Sequence, residues 1–136
     1  MVVIDASVAA KWFVVEPGTS AARKLVETEG ALIAPELVIA EVLSVVWKRL
    51  IKDDLERDQV AHGPEALPKL FAELWPTVWL ARRAFEIAAE LRHPVYDCFY
   101  LALAESEDAT LVTADRRLIA RLAGSRWDRL CRPLVG

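Results

Sequence analysis

Cysteine is scarce in this sequence: Cys98 and Cys131 are its 2 cysteines, too few for a disulfide scaffold and without the C-x-x-C spacing of a zinc or redox site. Reduced thiols are the expectation. Histidine is as rare, and His62 and His93 stand alone without H-x-x-x-H spacing, which argues against zinc and against serine or cysteine triads. The 5 glycines form neither a G-x-G-x-x-G nor a P-loop pattern, so nucleotide-cofactor readings lose their best support. Uncharged stretches such as Leu74 to Ala81 and Cys98 to Ala104 fall far short of the roughly 18 apolar residues that span a bilayer. No membrane association is expected. Met1 is followed by three apolar residues and then Asp5 rather than by a basic segment and a long apolar core, and the expectation is a cytoplasmic protein.

What the sequence does contain is apolar surface. At 136 residues, with 54% hydrophobic residues, it has the size of one domain, expected over 1–136, and enough material for a core, which excludes intrinsic disorder. The formal charge of −3 conceals an asymmetry: residues 1–115 carry 11 Lys and Arg against 19 Asp and Glu, whereas residues 116–136 carry 6 Arg against 1 Asp. An acidic body carries an arginine-rich end.

Short apolar runs alternate with helical patterns. Val2 to Ile4, Ala31 to Ala34 and Thr110 to Thr113 read as buried strands, and Leu130 to Leu134 as an edge strand because Pro133 cannot donate to a ladder. Helices are expected from Ser7 to Val14, from a Thr19 or Ser20 cap to Thr28, over Glu36 to Lys52, near Asp54 to Ala61, after Pro64, over Leu80 to Leu91, from Val95 to Glu105 and over Asp115 to Leu122. Trp75 to Trp79 is open between strand and turn. The alternation predicts an α/β fold of three layers, α/β/α, around a parallel sheet of about four to five strands, with every strand carboxyl end on one edge.

Two acids fall on that edge. Asp5 follows the first strand and Asp115 lies two residues beyond Thr113; each alone is equally well explained as a helix cap. Glu41 has Leu37, Val38, Ser44 and Val45 as its helical neighbours, so no intrahelical cation neutralises it, and it shares a polar stripe with Ser44, Lys48 and Lys52. That stripe is either a solvated face or one side of a groove. Asp97 opens the run DCFYLALAE, a helix apolar almost all round, where a carboxylate should face a cavity or a cation. Four carboxylates meeting at one edge would repel by roughly 4 kcal/mol per close pair at an effective dielectric of about 20. A divalent cation removes that cost, and oxygen ligands alone favour magnesium or manganese, which points to a metal-dependent phosphoesterase.

The segments Asp5-Ala-Ser-Val-Ala-Ala-Lys-Trp-Phe13, Pro35-Glu-Leu-Val-Ile-Ala-Glu-Val42, Tyr96-Asp-Cys-Phe-Tyr-Leu-Ala-Leu-Ala-Glu105 and Val112-Thr-Ala-Asp-Arg-Arg-Leu118 resemble, in order and spacing, four blocks of the PIN-domain ribonucleases, specifically the VapC toxins of VapBC toxin-antitoxin modules. The resemblance implies a central parallel sheet, a Mg2+ or Mn2+ site, endonucleolytic RNA cleavage, homodimers and inhibition by a small VapB-like antitoxin. It makes Asp5, Glu41, Asp97 and Asp115 the catalytic acids, with Asp5 and Asp97 as metal ligands and Glu41 and Asp115 binding directly or through water. Thr113 and Ser7 match auxiliary hydroxyl positions, which local strand-end bonding or helix capping would also explain. Ser44 stands where the family more often has Asn. Lys11 reads first as a solvated residue and Trp12 as a packing residue. Lys48, Lys52, Arg116 and Arg117 are the best-placed cations for flanking RNA phosphates; Arg121, Arg126, Arg129 and Arg132 suit packing or a dimer edge.

Other readings are weaker. An aspartyl phosphatase wants D-x-D after the first strand, where this chain has Asp5-Ala-Ser7, and a response-regulator switch wants an acidic pair there. The alternative from a different class is a non-catalytic PIN-like scaffold that binds RNA or protein, which the presence of all four acids disfavours.

Overall fold

The computed structural model describes residues 1–52 and 55–135. Five strands form one wholly parallel sheet: β1 (Val2–Ile4), β2 (Leu32–Pro35), β3 (Glu73–Trp75), β4 (Thr110–Thr113) and β5 (Cys131–Pro133), in the spatial order β3-β2-β1-β4-β5. The helices are α1 (Ala6–Ala9), prolonged by a 3-10 turn at Ala10–Trp12, then α2 (Thr19–Thr28), α3 (Leu37–Ile51), α4 (Arg57–Val60), α5 (Gly63–Lys69), α6 (Thr77–Leu91), α7 (Val95–Glu107) and α8 (Arg116–Leu122). Among the described residues no helix is long and apolar enough to cross a membrane.

The strand order positions the site. The chain builds outward from β1 through β2 to β3, then returns through α6 and α7 to lay β4 on the other side of β1, with Ile4 beside Val112. Strand order therefore reverses between β1 and β4, the crevice where open α/β sheets take their ligands. With the right-handed crossovers that parallel sheets use, connections running in opposite directions place α1 to α5 on one face and α6 and α7 on the other, and α7 packs across β1, β2 and β4. Its buried run from Tyr100 to Ala104 meets Val3, Ile4, Leu111 and Val112 in the core. A helix apolar almost all round belongs in that position.

The strand and helix order follows the sequence reading, with local differences. Instead of one helix from Ser7 to Val14, α1 stops at Ala9 and tightens into the 3-10 turn. Gly18, not Thr19 or Ser20, caps α2, because the chain turns there with φ +94, and a Cβ would also come 3.1 Å from the Lys11 side chain. Thr19 is spent on the turn instead, accepting from the Glu16 amide at 3.0 Å and donating to Val14 O at 3.2 Å. The Trp75 to Trp79 segment holds both a strand end and a helix start: Trp75 closes β3, and α6 begins at Thr77 rather than Leu80. The expected start of a helix at Asp54 lies outside the described residues; α4 covers Arg57–Val60. Cys98 and Cys131 are free thiols, pushed up by burial to about 11 and about 12, so neither is a nucleophile at neutral pH.

Candidate functional site

Asp5 leaves β1 directly into the crevice and caps α1, its Oδ1 accepting from the Val8 amide at 3.2 Å. Ser7 Oγ donates to the same oxygen at 2.6 Å and accepts the Ala114 amide at 2.9 Å, which ties the ends of β1 and β4 together. Thr113 Oγ1 donates to Asp5 Oδ2 at 2.5 Å and accepts the Asp115 amide at 3.0 Å. Both hydroxyl residues thus serve Asp5. Their hydrogen bonds favour its charged form, but burial outweighs them and pushes the carboxyl up to about 6, with the charge of Asp97 adding to the effect.

Glu41 sits half-buried on α3, where the buried Tyr100 hydroxyl donates to its Oε1 at 2.6 Å. Burial raises its proton affinity, Asp97 raises it further, and the Tyr100 hydrogen bond opposes both. Asp97, in the first turn of α7, has His93 Nε2 at 2.6 Å from its Oδ2. An ionised carboxylate only accepts, so Nε2 carries the proton in that bond. Asp97 is the acid whose charge reaches both Asp5 and Glu41. The fold therefore gathers Asp5, Glu41 and Asp97 into one electrostatic group.

Asp115 lies at the same edge but faces α8, its Oδ1 accepting from the Arg117 amide at 2.9 Å and the Leu118 amide at 3.4 Å. Arg116 and Arg117 are exposed, and Arg116 lines a groove that runs from Thr113 and Asp115 to Lys11 and Leu134. Lys48 and Lys52 are exposed on the stripe that continues Glu41 and the exposed Ser44 along α3. Arg121 is bonded to Leu91 O, while Arg126 pairs with Glu90 at 2.7 Å on the surface and Arg132 with Glu29 at 2.9 Å. Trp12 packs as expected, 9% exposed with its Nε1 donating to Ala22 O at 2.9 Å. Lys11 is not solvated: its Nζ donates to Glu16 Oε1 at 3.0 Å and to Pro17 O at 2.9 Å, because the chain folds back at Gly18 over its side chain.

Two groups at the acids escape the sequence reading. Tyr100 stands three residues after Asp97 and His93 four before it, so helical spacing alone could have flagged Tyr100, while Pro94 hides the His93 relation.

The donor chemistry suits a hard divalent cation: the charge of Asp97 reaches both Asp5 and Glu41, and the three carboxylates are bonded to hydroxyls, an amide and an imidazole, none paired with Lys or Arg among the described residues. As placed, no three His, Cys, Asp or Glu among the described residues stand close enough to hold an ion between them. The fit is in charge and donor type.

Comparisons with known proteins agree with this architecture. Residues 2–125 match the PIN domain family. The chain is 39% identical to VapC ribonuclease Mb0985 of Mycobacterium bovis, covering 87% of this chain and 88% of that protein. It is 31% identical to Ribonuclease VapC3 of Pyrobaculum aerophilum over 85% of this chain and 90% of that protein. Against Ribonuclease VapC1 of Mycobacterium tuberculosis the identity is 36%, and the match spans 65% of that protein's length. Among solved structures, a toxin-antitoxin complex from Klebsiella pneumoniae shares the fold at TM-score 0.69 and 17% identity, covering 93% of this chain and 94% of that one. The crystal structure of PAE2754 from Pyrobaculum aerophilum shares it at TM-score 0.63 and 24% identity, over 97% and 87%. With its reversed strand order, its acids at the β1/β4 crevice and these matches, the chain belongs to the PIN-domain family, in the branch of the VapC proteins.

Proposed function

We propose that the chain is a metal-dependent endoribonuclease, the toxin of a toxin-antitoxin module, which hydrolyses RNA phosphodiester bonds at Asp5, Glu41, Asp97 and Asp115. The observation that carries this reading is that the charge of Asp97 reaches both Asp5 and Glu41 beside the sheet's switch point, without a lysine or arginine partner for any of the three among the described residues. Asp5 and Asp97 would hold Mg2+ or Mn2+, with Glu41 and Asp115 binding directly or through water. When bound, the ion supplies Lewis acidity, activating water for attack on phosphorus and stabilising charge on the departing oxygen. The chain's own residues do the rest. Ser7 and Thr113 fix both oxygens of Asp5, and burial of the carboxyl keeps water from competing for it. Lys48, Lys52, Arg116 and Arg117 hold phosphates that flank the cleaved bond, since acids repel a polyanion until cations balance them.

The names of the relatives support the ribonuclease reading, and the toxin-antitoxin neighbour supports a protein partner. A VapB-like antitoxin would place a basic side chain among the acids, with charge-assisted hydrogen bonds to the carboxylates. The active species in this reading is a homodimer working on RNA in the cytoplasm. The test is cleavage of RNA by the purified chain with Mg2+, its inhibition by EDTA and its restoration by Mn2+. Expression of the chain alone should slow growth, and coexpression with the product of a neighbouring small reading frame should relieve it. RNA binding without cleavage in the presence of either ion would mark a scaffold instead.

A further inference from the structure

Tyr100 is 1% exposed within the apolar run of α7 that fills the core. A buried phenol needs a hydrogen-bond partner, and ordinarily any carbonyl or hydroxyl suffices. Here the partner is the carboxylate of Glu41, 59 residues away on another helix, at 2.6 Å. The placement has a geometric consequence. Asp97 and Tyr100 are three residues apart on α7 and so share one face of the helix, which makes the Tyr100 hydroxyl a strut between the helix that carries Asp97 and the one that carries Glu41.

We propose that Tyr100 is a positioning residue of the acidic site: its hydroxyl ties Glu41 on α3 to α7, the helix that carries Asp97, and so holds Glu41 where it can join Asp97 around a shared divalent cation. The inference rests on the metal-site reading given above. It uses one oxygen of Glu41 and leaves Oε2 to face other partners. A hydrogen bond with an ionised partner is about twice as strong as one between neutral groups, so the bond holds Glu41 most firmly in the charged form that a cation would bind. Burial, together with the charges of Glu41, Asp5 and Asp97, holds the phenol's own proton affinity far above its ordinary value. Facing a carboxylate oxygen, the phenol acts as the donor. A phenylalanine would fill the same volume and supply none of this.

The test is Mn2+ binding by the full chain, measured by calorimetry for wild type, Tyr100→Phe, Glu41→Gln, the double variant and Asp5→Asn, with metal-free unfolding curves to show that each is folded. Wild-type binding that Asp5→Asn abolishes establishes the site. Tyr100→Phe should then weaken Mn2+ by roughly 10- to 100-fold, the cost typical of losing a group that orients a ligand. In the Glu41→Gln background the same substitution should cost nothing, because the bond it removes no longer orients a charged ligand. RNA cleavage by Tyr100→Phe should return toward the wild-type rate at saturating Mn2+. A merely structural tyrosine would lower the unfolding midpoint equally in both backgrounds and leave the Mn2+ affinity as it was. Unchanged affinity in folded Tyr100→Phe, or an equal loss with and without Glu41, overturns the proposal. Absence of any Mn2+ binding that depends on Asp5 overturns the site reading itself, a distinguishable result.

Discussion

The two ends of α7 treat their carboxylates in opposite ways. At the amino end, Asp97 shares its surroundings with Asp5 and Glu41, and burial with mutual repulsion raises the proton affinity of both neighbours. Eight residues on, about 12 Å along the helix axis, Glu105 accepts from Arg83 Nε at 2.5 Å and Nη2 at 3.0 Å, and from Trp127 Nε1 at 3.0 Å. The Arg83 guanidinium holds its carboxyl below the usual range. A fork of two parallel hydrogen bonds is how a chain secures a carboxylate it uses for architecture, here joining α6, α7 and the segment that leads to β5. The amino end has no such fork among the described residues. Carboxylates without a lysine or arginine partner at one end, among the described residues, and a guanidinium fork at the other distinguish the proposed metal site from an architectural ion pair.

Removing charge from the uncompensated end should have the largest effect. Asp5→Asn keeps the shape of the side chain, so the protein should fold, yet RNA cleavage with Mg2+ should fall by about three orders of magnitude or more, since a metal's charge stabilisation is worth several kcal/mol. A folded Asp5→Asn protein that cleaves at the wild-type rate removes the distinction between the two ends.

The same end has a signature in metal-free stability. Asp5 titrates near 6 in the folded chain against 3.8 ordinarily, so the folded state binds its proton more tightly than the unfolded one. Stability in EDTA should therefore rise as pH falls from 7 through 6 toward 4, by on the order of 3 kcal/mol for this group. Glu105 has the opposite sign: its contribution is present above the ordinary glutamate range and is lost as pH falls through its lowered folded value. Urea unfolding at several pH values measures the sum, and Asp5→Asn should shrink the rise to the share that Glu41 contributes, while leaving the acid-side loss. A metal-free curve that declines steadily below pH 7 in wild type contradicts the assignment.

An uncompensated acidic end also needs cations from outside to hold a polyanion. Lys48→Ala with Arg116→Ala, in an Asp97→Asn background that prevents turnover, should weaken single-stranded RNA across sequences and reduce the salt slope by about 0.7 for each phosphate that is no longer neutralised. The bonds cut by the otherwise wild-type double variant should be unchanged. An unaltered slope moves the RNA path away from the groove beside Thr113 and from the α3 stripe.

Much of this contrast is legible in the sequence, and the limits have physical causes. Val2 to Ile4 and Thr110 to Thr113 announce themselves as short β-branched runs ending near acids, because central strands of a parallel sheet are buried on both faces. β3 does not: Glu73–Trp75 is a three-residue edge strand only partly buried, with no alternation to read, and it runs through Pro76 into α6 almost without a turn. The acids stand out because each interrupts an apolar local pattern. Their partners do not, since the Tyr100 to Glu41 bond spans 59 residues and depends on how α3 packs near α7. Lys11 reads as solvated because its cover is made by the turn at Gly18, a tertiary event that no local periodicity encodes.

The compensated end should yield the smallest effect. Glu105→Gln keeps an acceptor for Trp127 and Arg83 but removes the charge that makes the fork strong. Arg83 and Glu105 are 36% and 35% exposed at their side chains, so water screens much of the attraction, and the loss should be about 1 kcal/mol near neutral pH. The same substitution should leave Mn2+ affinity and RNA cleavage untouched, because Glu105 is bonded to Arg83 and Trp127 rather than to the acids. As pH falls through the lowered folded value of Glu105 the two proteins should converge in stability, since the wild type loses that charge there as well. Convergence at low pH with unchanged cleavage would fix Glu105 as architecture, whereas a change in cleavage would mean that the two ends of α7 are coupled through the helix.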